Sequence, residues 1–319
     1  MMQQIAGIVY FIGAFSLAGT SVIAGRYVSD LLGTFTIAAT SLAFALVGLL
    51  PLCGRSFCHA LTSLPPALWL KLFLQALFGI FLFRMFLLEG LVLTSAGEAG
   101  ILTGITPAVT AVLAWLFLKE PLARQRVAGV ACSLTGVLVI QGLLSGGDGF
   151  SAGHFAGNLL VVGAALSESL FNVLSRSGML NVAKQVAAPL EPLLQSTLVA
   201  GIALLLCLPP ALREKPLAAL GGLGIEGWAA LVWYGLFVTA IAFVFWYNGI
   251  QRCPASVAAV FSGMMPVTAM LLSILLLGEQ PGAKDWLGGL LVLLGMVLTG
   301  SKLPAGREGA TETSAKFHA

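Results

Sequence analysis

The stretch GITPAVTAVLAWLFLKEP, residues 104 to 121, is echoed by GMMPVTAMLLSILLLGEQP, residues 263 to 281. Each begins on a glycine, reaches a proline three residues later, continues as an apolar run and arrives at a glutamate, Glu120 or Glu279. Sliding the chain by 159 residues extends the match without a gap, laying 84 to 120 on 243 to 279. Phe86 then meets Phe245, Gly90 meets Gly249, Ala96 meets Ala255, and farther on Gly129 meets Gly288 and Gly136 meets Gly295. Near the N-terminus an offset of 150 pairs Ala6, Gly13, Ala14 and Arg26 with Ala156, Gly163, Ala164 and Arg176. The difference of nine residues is expected in a longer loop near Pro209 to Glu226.

The surrounding composition says what kind of chain carries this repeat. Of its 319 residues 58% are hydrophobic and only 9% charged, against roughly 25% charged in a soluble domain, and the mean hydropathy is +0.99. A helix crossing the bilayer core needs about 20 largely apolar residues. Ten such segments can be marked: 5–24, 32–51, 66–88, 95–118, 126–144, 154–175, 189–208, 227–250, 255–277 and 284–300. Short connections leave no room for a soluble domain, and the tail from Lys302 to Ala319 is expected to be disordered and cytoplasmic. The N-terminus lacks a basic n-region and is read as a retained first helix. The five cysteines form no CxxC pair, so no disulfide or metal framework and no cofactor is expected.

The expected fold is therefore an all-α membrane protein of ten transmembrane helices in two five-helix repeats, residues 1–145 and 153–300. Five is odd, so the second repeat enters the membrane from the opposite side and the two are inverted. Inverted repeats are typical of secondary transporters, which expose a midplane site alternately to either side. With the N-terminus inside, eleven basic residues fall on the cytoplasmic side and four outside, which favours both termini in the cytoplasm.

The two proline-bearing helices ending in an apolar run and Glu, together with GLVLTSAGEAGILTGITP and GNLLVVGAALSESLFNVLSR, resemble the EamA domain of the drug/metabolite transporter superfamily. The resemblance covers about residues 5 to 300 and implies a ten-helix basket that moves small metabolites, amino acids or drugs across a bacterial inner membrane. One departure is Glu168, which stands where such sixth helices often have an aromatic or small residue.

Ionisable residues within the membrane are costly, about 2.5 to 3.5 kcal/mol at a helix centre, and so mark candidate sites. Glu168 lies near mid-membrane with no cap or interface at hand, and Asn172 shares its helix face one turn on. The pair is either a cavity wall, with Glu168 carrying a coupling proton or holding a cationic group, or a structural hydrogen-bonded pair between helices. Arg84, expected about one turn from the outer end of the third helix, either snorkels to the surface or faces Glu98 or an anionic ligand. Glu98 fits a capping box with Ser95 or a vestibule role. Glu191 suits a helix N-terminus, with Gln195 one turn deeper on the same face. Pro107 and Pro266 are hinge or cavity-shaping candidates. Glu120 and Glu279 are read as structural clasps of short turns, with Arg124, Arg126 and Lys284 as the nearest basic partners. Trp246 and Tyr247 are read as an interfacial belt, while Trp233, Tyr234 and Phe237 line a pocket or simply pack.

A secondary transporter with a small-molecule substrate, lipid surroundings and protons as a candidate coupling ion is the function these features favour. An intramembrane enzyme would need a catalytic constellation such as HExxH or GxSxG, and a receptor or scaffold would need sizeable loops; the sequence offers neither. Nothing in it suggests nucleic-acid binding.

Overall fold

The computed structural model describes residues 2–118, 124–140, 152–182, 190–252, 261–262 and 264–300, and among these every regular element is helical. In chain order they are α1 (Met2–Ser29), α2 (Thr34–Cys53), a short α3 (Arg55–Ser63) and α4 (Pro66–Leu93). Next come α5 (Ala96–Thr103), α6 (Thr106–Leu118), α7 (Arg124–Ile140), α8 (Ala152–Val182) and α9 (Pro192–Arg213). A short α10 (Pro216–Gly221), α11 (Ile225–Arg252), α12 (Met264–Leu277) and α13 (Ala283–Gly300) complete the described chain. Among the described residues seven helices, counting α5 and α6 as one, are long and apolar enough to cross a membrane. The remaining expected segments fall on α7, α12 and α13, of 17, 14 and 18 residues.

Burial follows the logic of a lipid-facing protein. Large apolar side chains such as Val47, Leu52, Leu205 and Leu275 point outward, where lipid tails solvate them as well as a protein core would. Helices therefore meet through small residues that let backbones approach. A methyl group on Gly136 would lie 2.7 Å from the carbonyl oxygen of Gly288, and one on Gly295 would lie 2.6 Å from that of Gly129. These are the same two glycine pairs related by the 159-residue offset, with the partners exchanged. Likewise a methyl group on Gly13 would lie 2.7 Å from the Phe245 ring and one on Gly163 would lie 3.3 Å from the Phe86 ring. The α1–α11 contact is thus repeated between α8 and α4.

Helices α4 and α11 are both 28 residues long and start 159 residues apart. Each contains a π-helical stretch, Leu77–Leu82 and Tyr234–Ile241, and the two stretches end in the same register. A π turn holds an extra residue, so the side chains that follow swing by about 100° relative to a regular helix. That swing is absent from any apolar pattern in the sequence.

Two expectations need correction. The change in offset does not lie near Pro209 to Glu226: α2 and α9 already start 158 residues apart and α4 and α11 159 apart, so the extra residues precede Pro192. The fourth span is not one helix but two, broken by a turn at Gly104–Ile105. Pro107 sits in the first turn of α6 and Pro266 in the first turn of α12. There a missing N–H costs little, because the first N–H groups of a helix have no intrahelical acceptor. The expected disordered tail and Glu120 lie outside the described residues.

Candidate functional site

Helices α1, α4, α8, α11 and α12 line a pocket that is partly open to solvent. Aromatic rings form much of the wall, among them Phe15, Phe83, Phe171 and Phe243. Into this wall are set Arg84, Glu168, Asn172 and Tyr234. The π stretches of α4 and α11 both contribute, through Gly79 and Ile80 on one and Tyr234 and Val238 on the other. Gly79 admits the Phe171 ring so closely that a methyl group there would lie 2.6 Å from it.

Arg84 is 4% exposed and turned into the bundle rather than toward the surface. Its Nη1 donates to Ser41 Oγ at 2.7 Å and to Ala38 O at 3.4 Å, and its Nη2 donates to Thr239 Oγ1. The guanidinium lies 4.4 Å over the Tyr234 ring. Every one of these partners is neutral. They hold the fork in one plane without cancelling its charge, which leaves an oriented cation at the edge of the cavity. The Tyr234 hydroxyl is buried and has no hydrogen-bond partner among the described residues, and a buried unmet hydroxyl is costly unless something completes it.

Glu168 is half-buried beside the same cavity. Its Oε2 accepts from Thr106 Oγ1 at 3.0 Å, which ties α8 to the start of α6. Ser169 strengthens the tie by donating to Thr106 O at 3.0 Å. Asn172 lines the cavity one turn beyond Glu168. The structure thus brings three of the sequence candidates, Arg84, Glu168 and Asn172, to one space.

Glu98 goes elsewhere. Ser95 Oγ accepts from Glu98 N at 3.1 Å, as a capping box requires, but Glu98 does not reach back. Its carboxylate accepts from Asn158 Nδ2 at 2.8 Å and lies 3.6 Å from Lys284 Nζ and 3.4 Å from His154 Nδ1. The N–H groups of α5 are taken instead by Glu279, whose two oxygens accept from Ala96 N at 2.9 Å and Gly97 N at 2.8 Å. Glu279 is therefore not a clasp on Lys284: it caps a helix 183 residues away and favours the positive end of its dipole, a contribution of about 1 kcal/mol. Glu214 does the same for α2, accepting from Phe35 N, Thr36 N and Thr36 Oγ1.

The other candidates lie apart from the cavity. Glu191 is exposed at the N-terminus of α9 without a side-chain cap bond, and Gln195 donates to Gln75 Oε1 at 3.1 Å. Neither Pro107 nor Pro266 touches the cavity, although Met265 does. Trp246, read from sequence as part of an interfacial belt, instead lines the cavity and packs on Phe171 at 5.2 Å. Trp233 stacks on Phe237 at 4.3 Å and is 39% exposed. The residues missed by the sequence reading, Ser41, Thr106 and Thr239, are hydroxyls in apolar helices whose partners lie 43, 62 and 155 residues away.

Residues 5–142 and 155–301 each match the EamA-like transporter family. YetK of Bacillus subtilis (strain 168), named an uncharacterized transporter, is 30% identical over 299 residues, covering 93% of this chain and 87% of its own. A protein of Streptantibioticus cattleyicolor named a probable terminal-alkyne amino-acid exporter is 28% identical over 243 residues, 73% of this chain and 74% of its own. A protein crystal structure aligns over 92% of this chain and 95% of that one with a TM-score of 0.60 and 22% identity, which speaks to the fold alone.

Proposed function

Because the chain belongs to the EamA-like transporter family, we propose that it exports small zwitterionic metabolites, amino acids foremost, by alternating access. The cavity carries this reading: a fixed guanidinium and an unpartnered phenol on one wall suit a carboxylate, and Glu168 with Asn172 suits an ammonium group. The aromatic lining gives an apolar side chain a place to bury. The relative named an amino-acid exporter supports the same substrate class.

The reading takes the two family matches as two inverted five-helix units facing each other across the cavity. Its support is the shared register of the two π stretches and the exchanged glycine pairs. Alternation then moves one unit against the other around the site, and protons drive the cycle through Glu168. The test is flux from proteoliposomes loaded with radiolabelled α-amino acids, with and without a pH gradient. Movement of at least one amino acid, accelerated by the gradient, is expected; no protein-dependent flux of any of them would overturn the proposal.

The proposed setting is the bacterial inner membrane with both termini in the cytoplasm, on the strength of the eleven-to-four distribution of basic residues. Single cysteines at Ala123 and Gly282 in a cysteine-free background test it. An impermeant thiol reagent added outside whole cells should label the Gly282 position and spare Ala123. The reverse pattern would invert the topology.

A further inference from the structure

The turn at Gly104–Ile105 and Glu168 meet at one atom, the Thr106 hydroxyl oxygen. Pro107 has no N–H to offer the carbonyl four residues back, Thr103 O, and Thr106 Oγ1 stands in by donating to it at 2.8 Å. The same Oγ1 lies 3.0 Å from Glu168 Oε2. A threonine hydroxyl carries a single hydrogen, so it can be directed fully to only one of these two oxygens.

We propose that Thr106 is the positioning residue through which protonation of Glu168 controls the break between α5 and α6. When Glu168 is protonated, its O–H donates to Thr106 Oγ1 and the Thr106 hydrogen stays on Thr103 O, so the freed carbonyl is satisfied and the break is held. When Glu168 is ionised it can only accept. The Thr106 hydrogen then turns to the carboxylate, Thr103 O loses this donor, and the break loosens. Ser169 Oγ lies 3.0 Å from Thr106 O and 2.7 Å from Ala165 O, so its single hydrogen is divided in the same way and does not by itself fix α6.

Among the described residues few charges compete around Glu168. Helix α6 has no ionisable residue, and from α4 and α11 it is Arg84 and Tyr234 that share the cavity. Lys71 and Glu89 on α4 do not line it, Glu98 on α5 is engaged with Asn158 and Lys284, and Arg26 on α1 is bonded to Leu91 O. Tyr247 on α11 points to Gln75, and Arg252 is bonded to Asn248. Arg84 itself is occupied by neutral partners. The hydrogen of Thr106 is therefore set by the charge on Glu168 rather than by a neighbouring carboxylate.

The inference deepens the transport reading and rests on it for its purpose, but its test uses no substrate. Amide hydrogen exchange, followed by mass spectrometry on the full chain in lipid nanodiscs, reads the segment from Gly100 to Thr110 across a pH series after correction for intrinsic rates. Loss of one hydrogen bond should raise exchange at the break roughly 3- to 10-fold as Glu168 ionises. Thr106→Val, which keeps the shape without the hydroxyl, should abolish that pH-dependent change, and Thr106→Ser should restore it. Glu168→Gln should hold the protected state at every pH, because its amide donates to Thr106 as the protonated acid does. A pH-independent wild type, or a Thr106→Val protein with the wild-type pH response, would overturn the proposal. Failure of amino-acid flux with the exchange pattern intact would instead remove the transport reading alone.

Discussion

Replacing Arg84 with Gln is expected to leave a folded, inserted protein that has lost nearly all flux of the amino acids moved by the wild type. The reason lies in what the guanidinium leaves behind. Ser41 Oγ also donates to Ala38 O at 3.1 Å, and Thr239 Oγ1 also donates to Tyr234 O at 2.7 Å, so neither hydroxyl is stranded when the fork is removed. The fold loses a costly buried cation together with its neutral bonds, and the net change in stability is small. On the proposed reading the substrate carboxylate, by contrast, loses a charged partner that is itself only 4% exposed. Truncating one member of a desolvated charge pair costs about 2 to 5 kcal/mol, which is roughly 30-fold or more in affinity.

Two comparisons separate recognition from general damage. Arg84→Lys keeps the charge but not the planar fork that spans Ser41 and Thr239, and flux should recover only in part. An amine made by decarboxylating a transported amino acid has no carboxylate to lose, so wild-type and Arg84→Gln proteins should bind it equally weakly. Scintillation proximity binding with the purified proteins measures both. Wild-type affinity for amino acids in Arg84→Gln would show that the guanidinium is structural and that the cavity recognises its ligand by other groups.

How much of this was legible in the sequence differs from element to element. The apolar runs and the doubled Gly-x-x-Pro pattern were enough for a multi-helix membrane protein, because in lipid every backbone group must be met within the helix and length alone is diagnostic. The π stretches were not legible, since one extra residue in a turn leaves the apolar run unchanged. Glu168 and Asn172 stood out because cost marks an acid at mid-membrane. The surroundings of Arg84 could not be read: Ser41 is 43 and Thr239 155 residues away, and a hydroxyl in an apolar helix is inexpensive enough to occur without purpose. Glu98 misled for a related reason. Ser95 caps α5 as its local motif implies, but only the fold reveals that Glu279 takes the remaining N–H groups and releases Glu98 to Asn158 and Lys284.

The second large effect is expected at Glu168. Gln keeps the size of the side chain and its capacity to bond with Thr106, so Glu168→Gln should fold and insert, and its loss is confined to charge and titration. If Glu168 carries the coupling proton, reconstituted Glu168→Gln should show no acceleration of amino-acid flux when a pH gradient is imposed, while binding at fixed pH stays near wild type. If Glu168 instead neutralises the substrate ammonium, binding should weaken at every pH by roughly 10- to 100-fold, the worth of a hydrogen bond to a charged group. A deaminated analogue distinguishes the cases, because it lacks the ammonium and its binding should not depend on the Glu168 charge. The two roles are compatible in an antiporter, where proton and ammonium compete for one carboxylate and each expels the other. Competition makes a further demand: in the wild type, apparent affinity should fall as pH drops through the titration of Glu168, and in Glu168→Gln that slope should vanish. Glu168→Gln with wild-type affinity, an unchanged pH slope and intact gradient-driven flux would defeat both roles and leave the carboxyl as a packing contact between α8 and α6.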